Sequence, residues 1–312
     1  MTTTSATASS QPERATAVGA ALCLISAAGF GAMAIFGKLA YDAGVAVLTL
    51  LLVRFVLGGL IFGGLIAARP RLRAAHITRR ALLFGLGLGA IGYATQAGLF
   101  FGALERIDAS LLALLLYTYP AWVTLAAFAL GRERPTRRRL VALGLSSVGL
   151  VIVLSGAAGD EFDTTAAIMG IGAALAYTAY ILVADRTGFE MPPLELSALV
   201  CAGATFTFAL VGVASGELDF GFDPEGWLWL AAIAVVSTAL PISTFFAGMA
   251  RVGPSTASIL STFEPVVTVT LAYLAFGERL TLPQLGGAAL VLGAAVMLAA
   301  PGRTPESAVP PT

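Results

Sequence analysis

Two ionisable side chains lie deep inside long apolar stretches of this 312-residue chain. Glu264 lies in STFEPVVTVTL and Arg54 in LTLLLVRFVLG. An ionised group at the centre of an apolar helix in lipid costs about 3 kcal/mol, so such residues usually have a partner or a function. We expect Glu264 to be protonated or to meet a cation, namely Arg54, Lys38 or the ammonium group of a ligand. The alternative is a structural carboxyl that is paired with Arg54 or bonded to a neighbour. We predict that Glu264 is the main polar determinant of a binding cavity and that Arg54 has a structural or gating role.

A second set of residues carries polar groups on aromatic or amide side chains within the apolar stretches. Their rings can pack in a core, lie at a membrane interface or line a cavity, and we expect a part of them to do the last. Lys38, near the end of the first apolar stretch, can attract an anionic group or lie among lipid headgroups. The predicted substrate-binding residues are therefore Glu264, Lys38, Tyr93, Gln96, Tyr117, Tyr119, Trp122, Tyr177 and Tyr180.

The sequence holds few of the residues that metal binding or catalysis requires. His76 is the single histidine and lies among arginines, which disfavours metal cages and Ser/His/Asp triads. Cys23 and Cys201 lie in separate apolar stretches and are expected to be buried small side chains. We predict no catalytic residue, no metal and no cofactor. The 18 basic and 18 acidic residues balance, so nothing indicates a nucleic-acid partner.

The composition predicts an integral membrane protein. Apolar residues make up 58% of the chain, charged residues only 12%, and the mean hydropathy is +0.89. A soluble domain has about twice that share of charged residues, so most of this surface must face lipid. Apolar stretches of about 20 residues predict membrane-spanning helices. We number ten spans, predicted over 16–39, 45–68, 80–103, 108–130, 138–156, 165–187, 193–214, 226–249, 254–276 and 281–300.

The loops differ in charge on the two sides of the predicted bundle. Loops on the side of the chain ends hold Arg69, Arg71, Arg73, Arg79 and Arg80, then Arg132, Arg134, Arg137, Arg138 and Arg139, and also Arg186, Arg251 and Arg303. The opposite loops hold Asp160, Glu161, Asp163, Glu217, Asp219, Asp223 and Glu225. Basic loops stay in the cytoplasm, which predicts that both termini are cytoplasmic. We expect a multi-pass protein of a bacterial plasma membrane.

The two halves of the chain repeat each other at a shift of 145 residues. The shift aligns Phe100 and Phe101 with Phe245 and Phe246, Arg106 with Arg251, Ser110 with Ser255, Pro120 with Pro265, Glu133 with Glu278, Arg134 with Arg279, and Thr136 with Thr281. Five spans in each half force the second half to enter the membrane upside down. The sequence thus divides into a disordered tail (1–15), a first repeat (16–156), a second, inverted repeat (165–300) and a disordered tail (301–312).

Pro120 and Pro265 lie near the middle of spans 4 and 9. A proline removes one helical hydrogen bond and clashes with the preceding turn. A harmless kink is one interpretation; their symmetric placement favours two spans that bend around a central cavity. We assign both prolines a structural or gating role, and we expect the Glu-Arg pairs at 133–134 and 278–279 to be structural anchors.

The two repeated segments Arg106–Thr136 and Arg251–Thr281 resemble the paired signature of EamA-type permeases of the drug/metabolite transporter superfamily. GFGAMAIFGK (29–38) and the Arg54-Phe55 pair are also similar to that family. The resemblance implies an all-α fold of ten transmembrane helices in two inverted five-helix repeats. It also implies transport, often export, of amino acids or other small metabolites.

The function that we predict is a secondary transporter, an exporter of small organic metabolites such as amino acids or drug-like compounds. Its partners are a small-molecule substrate and the lipid bilayer, with proton or ion coupling as an option. A membrane-embedded enzyme is the first alternative, but it needs clustered His, Asp or Glu within the spans. A sensor without a soluble domain is the second. Neither has a supporting motif here.

Overall fold

The computed structural model describes residues 10–68, 77–131, 135–157, 163–186 and 191–299. These residues form ten helical spans, each long and apolar enough to cross a membrane. The bounds of the helices, span by span, are Ser10–Gly31 with Met33–Asp42; Val47–Ala67; Arg79–Gly87 with Leu88–Tyr93 and Ala94–Leu104; Ala109–Leu116 with Tyr119–Ala129; Arg137–Ala157; Thr164–Arg186; Pro193–Ser215; Glu225–Ala234 with Val235–Ala239 and Leu240–Val252; Pro254–Ser261 with Glu264–Phe276; and Leu282–Ala299. The predicted fold class is confirmed.

The predicted span bounds differ from the observed ones by a few residues. The largest difference is at the start, where the helix begins at Ser10 instead of residue 16. Gln11, Glu13, Arg14 and Ala15 favour helix, and they extend the helix by more than a turn into the predicted tail. Residues 1–9 and 300–312, where the two disordered tails were predicted, lie outside the described residues, as do Arg69, Arg71, Arg73, Arg132, Arg134 and Glu133.

Ten alternating spans place both ends of the described chain on one side of the bundle, which we call the terminal side. The turns after spans 1, 3, 7 and 9 lie on the opposite side, the far side. Large apolar side chains on the outside are well exposed, for example Leu60 (67%), Ile91 (73%) and Val213 (75%). In lipid, such side chains are in their preferred solvent.

Packing joins the two halves more than it joins neighbours in sequence. Span 1 packs on span 8, span 2 on span 7, and span 5 on span 10. Small residues allow this close approach: a Cβ atom at Gly287 would lie 2.7 Å from a methyl carbon of Val153, and one at Gly149 would lie 2.8 Å from the Gly287 carbonyl oxygen. Glycine at such seams is typical of membrane helices.

Spans 4 and 9 are interrupted at equivalent positions. The first segment of span 4 ends at Leu116 and the second begins at Tyr119, one residue before Pro120. In span 9 the corresponding bounds are Ser261 and Glu264, one residue before Pro265. Each proline therefore starts a new helical segment, in the position where its missing N–H is not needed.

Two further irregularities are π-helical turns in spans 3 and 8. They cover Leu88–Tyr93 and Val235–Ala239, and a shift of 145 residues brings the first onto 233–238. Each inserts a residue into the helix and changes which side chains face the centre of the bundle. Sequence patterns did not predict these turns.

Candidate functional site

A cavity of about 370 Å³ lies at the centre of the bundle. Eight spans contribute to its wall, all except spans 5 and 10. It reaches from the interruptions in spans 4 and 9 toward the terminal side, where Pro193, Leu196 and Ser197 of span 7 form part of the wall. The volume falls within the range of about 300–1,000 Å³ that small-molecule sites usually have.

Glu264 forms one polar pole of this cavity. The Tyr117 hydroxyl donates to the Ser261 carbonyl oxygen (2.6 Å) and to Glu264 Oε2 (3.0 Å). Because a phenol has a single O–H, these two acceptors share one proton. Glu264 Oε1 accepts no hydrogen bond from the described residues, so the carboxyl group still has capacity for a ligand.

Arg54 forms the opposite polar pole, and its side chain is 2% exposed. Its Nε–H donates to Thr238 Oγ1 (3.2 Å), and the guanidinium lies 5.0 Å from the Phe55 ring centre and 5.3 Å from that of Phe101. The structure shows no ion pair between Arg54 and Glu264, the structural pairing that the sequence left open. Thr238 fixes one edge of the guanidinium. The terminal NH₂ groups of Arg54 donate no hydrogen bond within the described chain.

Aromatic rings connect the two poles along one wall. The ring centres follow each other at 5.7 Å (Phe55 to Tyr93), 5.4 Å (Tyr93 to Tyr180), 6.0 Å (Tyr180 to Tyr177), 4.8 Å (Tyr177 to Tyr119) and 5.8 Å (Tyr119 to Tyr117). These distances are typical of packed aromatic pairs. Such a wall offers aromatic faces to a cation and apolar area to the body of a ligand.

Most of the predicted site residues meet at this cavity. Its wall includes Glu264, Tyr93, Gln96, Tyr117, Tyr119, Tyr177 and Tyr180, together with Arg54 and Pro265. Pro120 lies on a second cavity of about 250 Å³, between spans 4, 6, 9 and 10, which shares Tyr117, Tyr119 and Ser261 with the first. Whether these residues bind a substrate remains a prediction.

Trp122, which was predicted to bind substrate, lines neither of these two cavities. Its indole N–H donates to Thr118 Oγ1 (3.2 Å), one turn earlier in span 4. The indole is therefore bonded within its own helix, beside the cavity wall.

Lys38 is also not in the cavity wall, because carboxylates on the far side bind it. Its ammonium donates to Glu278 Oε1 (3.0 Å) and lies 3.8 Å from Asp108 Oδ1. The partner is 240 residues away in sequence, which no local pattern indicates. The structure therefore assigns Lys38 to an ion pair instead of the cavity.

Glu278 is the centre of this far-side cluster and caps span 4. Its carboxylate accepts from the backbone N–H groups of Ala109 (3.1 Å) and Ser110 (3.0 Å) and from Ser110 Oγ (2.8 Å). The local N-cap residue, Asp108, makes no such bond. We call Lys38, Ser110 and Glu278 the far-side latch, since they join span 1, span 4 and the turn after span 9. The predicted anchoring role of Glu278 agrees with these contacts.

The two Phe-Phe pairs that mark the repeat place all four rings on the cavity wall: Phe100, Phe101, Phe245 and Phe246. Thr238 and Ser261 line it too and were not predicted. The repetition of the pairs was a usable signal for the phenylalanines. Thr238 and Ser261 resemble many other small polar residues in the spans and had no signal.

Comparison with known proteins defines the class. The EamA-like transporter family matches residues 17–155 and 164–300, which is nearly the whole chain in two units. An uncharacterized transporter of Archaeoglobus fulgidus is 32% identical over 244 residues, covering 77% of this chain and 83% of the relative. This protein belongs to the EamA-like transporter family.

The name of another relative specifies a substrate, and a solved structure supports the fold. The threonine/homoserine exporter RhtA of Escherichia coli is 32% identical over 232 residues, covering 72% of each chain. A solved crystal structure shares 19% identity with a TM-score of 0.59 and covers 91% of this chain and 96% of its own, which shows the common fold.

Proposed function

We propose that this transporter exports small zwitterionic metabolites, amino acids in particular, across the plasma membrane. The observation that carries the proposal is the presence of Arg54 and Glu264 on the wall of one cavity without an ion pair between them. A guanidinium pairs with a carboxylate, and Glu264 together with aromatic faces suits an ammonium group. An amino acid presents both groups.

The competing roles have less support. Hydrolysis or transfer chemistry needs a nucleophile with a neighbouring base. The Ser197 and Ser261 hydroxyls of the cavity wall instead donate to backbone carbonyl oxygens of their own helices, and no described hydrogen bond joins the Cys201 thiol to a base. The cavity is formed by spans from both halves, which suits a site that alternates between two sides. We therefore place the protein among secondary transporters and not among enzymes or sensors.

The orientation of the cavity supports export as the direction of transport. The basic loops favour a cytoplasmic terminal side, with both termini inside. The cavity extends toward that side, while the latch joins three elements on the far side. This arrangement suits a state that loads substrate from the cytoplasm, and the exporter name of the RhtA relative agrees with export.

Flux into proteoliposomes tests the substrate class. An amino acid such as threonine is compared with its amide, which lacks the carboxylate, and its N-acetyl derivative, which lacks the ammonium. We expect transport of the zwitterion at a rate at least about tenfold above both analogues, because each analogue leaves one buried charge unpaired. Equal flux of all three, or flux no faster than in empty liposomes, would contradict the proposal.

Orientation needs its own experiment. A cysteine at position 137, in a variant without Cys23 and Cys201, should react with an impermeant maleimide only after cells are opened. Labelling in intact cells would place the terminal side outside and reverse the proposed direction.

A further inference from the structure

The second cavity, of about 250 Å³, has no part in the proposed function so far. We call it the side cavity, and Thr124, Ser258, Ala295 and Ala299 are among the residues that line it. Its wall comes from the interruptions of spans 4 and 9 and from the halves of spans 4, 6, 9 and 10 that lie nearest the terminal side. Ser258 is exposed, whereas Thr124 and Ala295 are buried. The side cavity is therefore a pocket that leads inward from the terminal side.

The equivalent positions in the first repeat carry larger side chains. A shift of 145 residues brings Leu116 of span 4 onto Ser261 of span 9. The same shift relates span 5 to span 10, and it brings Leu150 onto Ala295. Leu116 and Leu150 both pack against the hydrophobic core. The side cavity therefore exists where the second repeat has serine and alanine in place of leucine, and the far side has no matching space at these positions.

The side cavity borders the central cavity at the pole that Glu264 forms. Tyr117, Tyr119 and Ser261 line both cavities and form the partition between them. The Tyr117 hydroxyl donates to the Ser261 carbonyl oxygen (2.6 Å) and to Glu264 Oε2 (3.0 Å), so the partition is bonded directly to the carboxyl group. Tyr117 and Ser261 lie at the interruptions of spans 4 and 9, where no continuous helix holds the backbone. A ligand bound by Glu264 thus lies beside the part of the wall that is least constrained.

The wall of the side cavity suits an apolar group. No charged side chain is among the described residues that line it. Three of its hydroxyl groups donate to carbonyl oxygens of their own spans: Thr124 to Pro120 (2.9 Å), Ser261 to Ala257 (3.0 Å) and Thr262 to Ile259 (2.6 Å). The protons of these hydroxyl groups are therefore not free for a ligand. The volume lies below the range of about 300–1,000 Å³ that sites for whole small molecules usually have, which favours a part of a ligand.

We propose that the side cavity is a subsite for the aliphatic side chain of an amino acid whose ammonium group is bound by Glu264. This inference rests on the proposed transport of zwitterions and specifies which of them the site prefers. Burial of each additional methylene group strengthens binding about fourfold. Leucine places more carbon in the side cavity than alanine does, so we expect its KM to be at least about tenfold lower than that of alanine.

Flux into proteoliposomes tests the subsite with a variant that copies the first repeat. Ala295→Leu introduces the side chain that position 150 has and should fill the side cavity. We expect KM for leucine to rise at least about tenfold, because its side chain loses the pocket, while KM for alanine stays within about twofold of the parent value. Ala289→Leu, at an exposed position of the same span, is the matched control and should leave both KM values unchanged.

Labelling gives a second readout that does not depend on transport. Ala299→Cys, in a variant without Cys23 and Cys201, carries a thiol in the wall of the side cavity. Leucine at saturation should slow the alkylation of this thiol by a maleimide at least about fivefold, since its side chain covers the wall, and alanine at saturation should slow it less than about twofold. Equal protection by the two amino acids would overturn the subsite.

The flux results separate this proposal from the proposed function. The subsite is overturned if the parent does not distinguish leucine from alanine, or if Ala295→Leu leaves KM for leucine unchanged. An equal rise for both amino acids also overturns it and would indicate that a lipid chain occupies the side cavity. If Ala295→Leu does not fold, Ala299→Leu copies Leu154 of the first repeat and tests the same space. Flux of neither amino acid would contradict the proposed function and the subsite together, whereas flux of both without a change in preference contradicts the subsite alone.

Discussion

Two glutamates of the second half, Glu278 and Glu264, both contact span 4 but differ in how many donors they receive. Glu278 accepts from Lys38, from two backbone N–H groups and from Ser110 Oγ. Glu264 shares the single proton of Tyr117 with a carbonyl oxygen. The bonding capacity of Glu278 is used within the protein, whereas that of Glu264 is open to whatever enters the cavity.

The difference separates a structural carboxylate from a binding one. A carboxylate with four donors is held in its charged form and fixes the elements that supply the donors. The carboxyl group of Glu264 shares a single donor with a carbonyl oxygen and lies on a cavity wall. Its replacement should therefore change the stability of the protein little but the binding of a ligand strongly. The comparison predicts opposite effects of the same substitution at the two positions.

The largest effect should come from Glu264→Ala, which removes the acidic pole of the cavity. We expect transport of a zwitterion to fall about a hundredfold, because loss of one buried charged partner costs about 3 kcal/mol. Glu264→Gln keeps the shape and should lower transport less or abolish its pH dependence. Initial rates in proteoliposomes check this, with exposed Glu217→Gln as the control. Normal transport and an unchanged pH profile in Glu264→Gln would show that the carboxyl group has a structural role and does not bind the substrate.

Glu278→Gln should destabilise the fold instead, by about 2 kcal/mol, since Lys38 loses its charged partner and the Ala109 and Ser110 N–H groups lose a charged acceptor. The thermal midpoint in detergent measures it. Replacement of the exposed neighbour, Arg279→Gln, is the control. Equal thermal midpoints for both variants would show that the far-side latch contributes nothing to the stability of the fold.

The pH dependence of stability sharpens this prediction. Burial alone would raise the pKa of Glu278, but the Ser110 N–H and the Lys38 ammonium outweigh it and hold the pKa below its usual range. A folded-state pKa below the unfolded one stabilises the fold above about pH 4.3, and this stabilisation is lost as the pH falls through the lowered pKa. The parent midpoint should therefore drop over that acidic window, and Glu278→Gln should lack this component.

Thr238→Val tests the basic pole with a smaller change. It removes the acceptor of the Arg54 Nε–H while keeping the shape of the side chain. We expect KM for a zwitterion to rise about fivefold, since a hydrogen bond of this kind contributes about 1 kcal/mol. Thr244→Val, at a half-buried position of the same span outside the cavity wall, should leave KM unchanged. A similar KM in both variants would show that Thr238 does not position Arg54.

The smallest effects are expected from the prolines. If the interruptions of spans 4 and 9 move during transport, Pro120→Ala and Pro265→Ala should each slow it at least about threefold, because alanine allows the helix to continue. Membrane content must stay normal. Transport within about twofold of the parent in both variants would indicate passive kinks.

The helical spans and the repeat were predictable because hydropathy and proline act locally. The cavity residues were largely predictable for a related reason: Glu264, Arg54 and the tyrosines are polar where lipid tolerates few polar groups. The partner of Lys38 was not, since it lies in the other half of the chain. The π-helical turns depend on inserted residues whose composition is ordinary.

The pairing of spans across the two halves has a consequence for biogenesis. Span 1 packs on span 8, span 2 on span 7, and span 5 on span 10. During synthesis the first five helices enter the membrane before any of those partners exist. The small-residue surface at Gly149 therefore faces lipid or an assembly factor until Gly287 arrives with the last span. The order in which the helices are inserted is consequently not the order in which they assemble, and a chain halted before residue 282 leaves span 5 without its partner.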